Sequence, residues 1–250
     1  MRRWIVLGIA VAVVVVGSAV AGLRWYRSRG PFLREVSSSV QGGIGALLAA
    51  GGSDAAVTID GVVRTRSCPR GPLRSGGIYT GGVEYYVSPG AEGALLSGIA
   101  ARLPGASFAG GVVSASLGSS VVVSVRQIGD GWVVGSVATG CVSGPAQLVD
   151  TPVADSAPLD EVLQHLGTRP AALHRTAVAC PSGGTAVTTA GISLPTSSQN
   201  LAERLPVPTG AHGFPSPSSN RVAYRDGNAS VIVAASDDGT AITAQYTVGC

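Results

Sequence analysis

The sequence predicts an α+β fold: an N-terminal transmembrane helix followed by two repeated two-layer domains, each an antiparallel sheet with helices on one face. Three observations predict it. An uncharged, apolar run fills residues 4–23, several blocks of sequence recur in the same order in both halves, and each half carries two cysteines at matching places. The expected organisation is a signal-anchor with a basic border at 1–29, a first domain at 30–150 and a second at 151–250.

The apolar run comes first. Met1-Arg2-Arg3 precedes it, and Arg24, Trp25, Tyr26, Arg27 and Arg29 follow it. As a helix it would extend about 30 Å, the thickness of the hydrocarbon core, with an aromatic and basic border suited to a membrane interface. Ala19-Val20-Ala21 offers the alternative of a cleaved signal peptide. The expected location is therefore the cell membrane, single-pass, with the C-terminal region extracytoplasmic; secretion after cleavage is the alternative.

The repeat is clearest at the two ends of the halves. Residues 119–141 contain a β-branched strand, a Gly-Asp-Gly turn and a second strand ending Gly140-Cys141. Residues 229–250 repeat this plan around Asp237-Asp238-Gly239 and end Gly249-Cys250. Asp-Gly suits such a hairpin because it tolerates positive φ. Upstream, Val62–Pro69 parallels His174–Pro181, and Ile99–Pro104 parallels Leu201–Pro206.

Each copy is expected to run helix, strand, strand, helix, then a hairpin. In the first, Phe32, Val36, Val40, Ile44 and Leu47 recur at helical intervals over Phe32–Ala50. Strands are expected at Val57–Cys68 and Ile78–Val87, the latter rich in tyrosine. Leu95, Leu96, Ile99 and Leu103 form one stripe of a second helix at Ala91–Leu103. In the second copy the elements are Leu159–Leu166, Leu173–Cys180, Thr185–Leu194 and Gln199–Leu205. The Gly- and Ser-rich stretch before Val121 and the Pro-rich stretch Val207–Asn220 are expected as loops.

Four cysteines allow three pairings. The repeat favours Cys68–Cys141 and Cys180–Cys250, as structural disulfides in an oxidising compartment. No C-x-x-C motif is present, which argues against redox chemistry.

Composition excludes several functions. All seventeen basic residues are arginine, so a Walker A lysine, a Schiff-base lysine and a Ser–Lys dyad are impossible. Beyond residue 30 the balance is slightly acidic, which argues against nucleic acid as a partner. No G-x-S-x-G, H-E-x-x-H or S-x-x-K motif occurs, and His165, His174 and His212 are scattered without visible partners. Asp160-Glu161 is accounted for by a helix start, and Glu84 by a solvated strand face. Neither an enzyme activity nor a cofactor nor a metal is expected.

These readings describe a non-catalytic extracytoplasmic binding or assembly module anchored in the cell envelope, with the membrane as one partner through the N-terminal helix. A protein, a lipid or a wall polymer of the envelope is the other partner. The alternatives are an envelope lipid or wall-polymer binding protein, and an envelope hydrolase centred on the second domain. The expected binding surface is the tyrosine-rich strand, through Tyr79 and Tyr85, or the basic strip Arg64, Arg66, Arg70 and Arg74.

Overall fold

The computed structural model describes residues 33–69, 75–118, 120–142, 151–152, 156–193, 200–216, 220–236 and 238–250. The first unit starts with α1 (Leu33–Gly51), β1 (Ala56–Pro69), β2 (Ser75–Tyr86) and α2 (Glu92–Arg102). It continues through β3 (Ser107–Ala109), β4 (Val112–Leu117), β5 (Val121–Gly129) and β6 (Trp132–Thr139). The second unit holds β7 (Thr151–Pro152), α3 (Ala157–His165), β8 (Ala172–Ala179), β9 (Thr185–Ser193) and α4 (Leu201–Arg204). The strands β10 (His212–Phe214), β11 (Arg221–Asp226), β12 (Ala229–Ala235) and β13 (Ile242–Val248) complete it.

Duplication is written into the topology. The first sheet is ordered β1-β2-β6-β5-β4-β3, and the second, from its other edge, β7-β8-β9-β13-β12-β11-β10. Apart from the two-residue β7, each strand of one sheet has a counterpart in the same place in the other. All pairings are antiparallel. One helix precedes the first strand of each repeat and another follows the second, both against the same face.

The first copy has two more strands than the hairpin plan expects, and the second has their counterparts and the short β7 besides. β3 and β4 form across the Gly- and Ser-rich stretch, joined at Gly110 and Gly111 with φ of 58° and 77°. β3 is exposed throughout and is held by its backbone ladder, whereas β4 alternates and buries Val113 and Ala115, a pattern short enough to be lost among the surrounding glycines and serines. β10 and β11 likewise fall within or just after the Pro-rich stretch expected as a loop.

The membrane expectation is corrected. Among the described residues no helix is long and apolar enough to cross a membrane, and the expected span at 4–23 lies outside them. The longest described helix, α1, buries Val36, Val40, Ile44 and Leu47 on one side while Ser38, Ser39 and Gln41 share the rest of its surface. It is a sheet-covering helix. What stands is two sheet-rich domains with flanking helices. The transmembrane and signal-anchor assignment, the membrane as partner and the single-pass location do not stand. The reading of the chain as an envelope-anchored assembly module falls with them.

The structure joins Cys68 to Cys141 and Cys180 to Cys250, within their own repeats. Each bond closes a chain separation of 73 or 70 residues, which in the chain-entropy account stabilises the fold by about 4 kcal/mol.

The two units are not independent. Val178 and Ala186 of the second belong to the core of the first, beside α1. β1 lies across the second sheet, touching β8, β9, β11, β12 and β13. Arg225 donates from Nη1 to the carbonyls of Gly52 (2.8 Å) and Ala55 (3.1 Å). Arg221 stacks its guanidinium 4.3 Å from the Trp132 ring centre and 5.1 Å from that of Tyr86, a cation–π contact across the interface.

Candidate functional site

The site comes from unequal helix coverage of two equal sheets. In the first unit, helices of nineteen and eleven residues lie over the inner face. In the second, α3 has nine residues and α4 only four. A shorter lid over the same sheet leaves part of its apolar face uncovered. The gap is an open cleft of about 800 Å³ between α3, the 205–209 segment and strands β11–β13. That volume falls within the range of small-molecule sites.

Strand register builds the floor. Tyr224 of β11 pairs with Val231 of β12, which pairs with Tyr246 of β13. The three side chains form one row on the helix face. Val162 comes from α3, while Leu205 and Val207, alternating with Pro206 and Pro208, form another wall. Arg204 donates from Nη2 to the Leu166 carbonyl at 2.6 Å, tying the short α4 to the end of α3.

The cleft also carries acidic residues. Glu161 and Asp226 line it, with His165 beside them, and all three are exposed. His165 is one turn after Glu161 and donates from Nδ1 to the Glu161 carbonyl oxygen at 2.9 Å. A carbonyl can only accept, so in the neutral ring Nε2 is left as an acceptor. Burial first, then the charges of Glu161 and Asp226 and the Tyr246 hydroxyl, push the Tyr224 hydroxyl above the usual tyrosine range.

Tyr224 contrasts with Tyr85, which also sits on the helix face of its sheet. Tyr85 is fully buried and donates to the Leu47 carbonyl of α1 at 2.7 Å. Tyr224 is 7% exposed and lines the open cleft. α1 closes over the tyrosine in the first unit, and the truncated cover of the second unit leaves its counterpart at the cleft.

The surface expected from the sequence is placed otherwise. Tyr79 and Tyr85 are in the core at 1% and 0% exposure. They alternate with Gly81 and Val83 on the face that α1 covers, so their aromatic area is spent on packing. Tyr86, one residue on, points to the other face and stacks on Trp132 with ring centres 6.0 Å apart. Its hydroxyl donates to Glu84 Oε2 at 2.6 Å. Of the basic strip, Arg66 is exposed on β1 and Arg64 lies on the same strand opposite Tyr79. Arg70 and Arg74 lie outside the described residues. His174 is exposed on β8, and His212 packs edge-on against Phe214 with centroids 4.7 Å apart.

No group of three His, Cys, Asp or Glu side chains able to hold a metal occurs among the described residues. All four cysteines are oxidised and so cannot ligate. Tyr224 and Asp226 fall in a stretch to which the sequence reading assigned no element, and Tyr246 in what it read only as an alternating strand. Glu161 was noticed and assigned to the helix start. No protein-family model, curated protein or solved structure matches the chain.

Proposed function

We propose that this chain is a non-catalytic binding protein that takes one amphiphilic ligand of the lipid class in the cleft of its second domain. The observation that carries this is the cleft itself: about 800 Å³, lined mainly by apolar residues of the sheet, α3 and the Leu205–Pro208 segment, with Glu161, His165, Thr209 and Asp226 and the tyrosine hydroxyls as its polar groups. Such a division suits a ligand with an apolar body and a polar head. The first domain supports the second, because β1 lies against the reverse side of the sheet that floors the cleft. Two long-range disulfides fit a binding protein that works in an oxidising compartment. Binding without turnover fits the histidines: His165 commits Nδ1 to a backbone carbonyl, and His174 and His212 are not part of the cleft lining.

The test is a titration of the full chain with the neutral fluorophore N-phenyl-1-naphthylamine, followed by emission. One saturable site is expected. Ala229→Trp, which places a bulky ring at the cleft's end, should weaken it at least tenfold while leaving the circular dichroism spectrum unchanged. Absence of saturation, or binding indifferent to Ala229→Trp, would refute the reading. Saturable binding of a soluble wall polysaccharide that competes with the fluorophore would replace the lipid with a polymer.

A further inference from the structure

We propose that Arg221 anchors a second binding site, which takes a carboxylate carried on a compact apolar group. The site is distinct from the cleft and does not depend on the reading of the cleft as a ligand site.

Arg221 opens β11 and lays its guanidinium over the rings of Trp132 and Tyr86. Such contacts use the face of the planar group, whereas its N–H donors lie in the plane. The Nε atom is buried and has no hydrogen-bond partner. Arg221 also makes no ion pair among the described residues. Glu84 accepts from the Tyr86 hydroxyl, and the exposed Asp130 lines a crevice with Arg221 without pairing to it. The Trp132 Nε1 donor is buried and unmatched as well. Two donors of the same corner therefore lack an acceptor, and one of them belongs to a charged group. Unmatched buried donors are costly, and an incoming acceptor removes that cost. A water would satisfy a donor but leave the charge unbalanced; an anion does both.

The surroundings define the rest of the ligand. Arg221 lines an open hollow of about 360 Å³ between α4, the end of β10 and the start of β11. Ser216 is the one other lining residue with a polar side chain, and Leu205, Val207, Phe214 and Val222 make the hollow chiefly apolar. Its volume is at the lower end of the range for small-molecule sites. One cation in an otherwise apolar hollow matches a small ligand with one anionic end. With Glu84 and Asp130 in the same corner, a single negative charge is favoured over two, which sets a carboxylate ahead of a phosphate monoester. The guanidinium fork also fits the two oxygens of a carboxylate.

The experiment titrates hexanoate, hexanamide and hexyl phosphate into the full chain by calorimetry. Acetate serves as the headgroup alone, and N-acetyl-Gly-Leu as a carboxylate borne by a peptide. Hexanoate should saturate one site and bind at least tenfold more tightly than hexanamide or hexyl phosphate. In nitrogen–proton correlation spectra the Arg221 Nε–H signal, assigned from Arg221→Lys, should move with hexanoate and stay with hexanamide. Arg221→Gln should abolish the preference for hexanoate, while Ala229→Trp, in the cleft, should leave it unchanged. Tighter binding of N-acetyl-Gly-Leu than of hexanoate, still dependent on Arg221, would support the site and identify its ligand as a chain terminus. Equal affinity for hexanoate and hexanamide, a preference that survives Arg221→Gln, or an Nε–H signal unmoved by hexanoate would overturn the proposal. So would loss of hexanoate binding in Ala229→Trp, which would put the anion in the cleft. Acetate binding as tightly as hexanoate would overturn the part assigned to the apolar hollow.

Discussion

The backbone N–H of Ile59 in the first domain donates to Oγ1 of Thr188 in the second, 3.0 Å away and fully buried. β1 is the edge strand of its sheet, so this N–H faces away from β2 and would otherwise have no partner. Thr188 in turn shares a hydrogen bond of 2.7 Å with Thr247 on the neighbouring strand. The second domain thereby covers an edge that would be open to pairing with another chain.

Thr188→Val keeps the shape but removes the acceptor, stranding a buried amide and the Thr247 hydroxyl. A loss of about 2 kcal/mol is expected in urea unfolding. Thr188→Ser, which restores the oxygen, should lose less than about 1 kcal/mol. Faster amide exchange at Ile59 in the valine variant alone would locate the effect.

Asp60 gives the interface a pH dependence. Burial, and then the charge of Glu84, raise its carboxyl to about 6. In the unfolded chain the same group titrates near pH 4. Between about pH 4 and pH 6 the folded form therefore holds more protons, and this contribution to stability falls as the pH rises. Above about pH 6 the loss is complete, on the order of 2 kcal/mol after allowing for partial exposure. Asp60→Asn should match the parent near pH 4 and exceed it increasingly up to about pH 6, with a constant margin above. Urea midpoints across that range measure it.

Two glycines of α1 should respond in opposite directions. A Cβ on Gly45 would stand 2.1 Å from the carbonyl oxygen of Ala179 on β8, and backbone cannot swing aside. Gly45→Ala should cost about 1–3 kcal/mol by pushing α1 off the second domain. Nothing lies within 4 Å of a Cβ on Gly42, so Gly42→Ala should stabilise by about 0.5–1 kcal/mol through helix propensity. Thermal midpoints of the two variants test both signs.

Local pattern made much of this fold legible. The helical spacing of Val36, Val40, Ile44 and Leu47 marks α1, and the structure buries all four. The alternation in 121–125 marks β5, where Val121, Val123 and Val125 point inward. β3 and β10 were not legible, because three-residue edge strands are held by pairing with a neighbour and have little pattern of their own. Nor was the fate of Tyr79 and Tyr85. A tyrosine-rich strand looks the same whether its partner is a ligand or a helix, and the helix that covers it is some thirty residues away in the chain.

The sequence by itself determined the duplication and the order of the main elements, and it favoured the cysteine pairing that the structure shows. These rest on periodicity and repetition, which are properties of neighbours along the chain. Only the tertiary structure decided that one tyrosine is closed over and another is left facing a cleft. Tyr85 finds the carbonyl of Leu47, while Tyr224 lies between a nine-residue and a four-residue helix that do not meet over it. Helix length is visible in the sequence, but the face it leaves bare exists only once the sheet beneath it has formed.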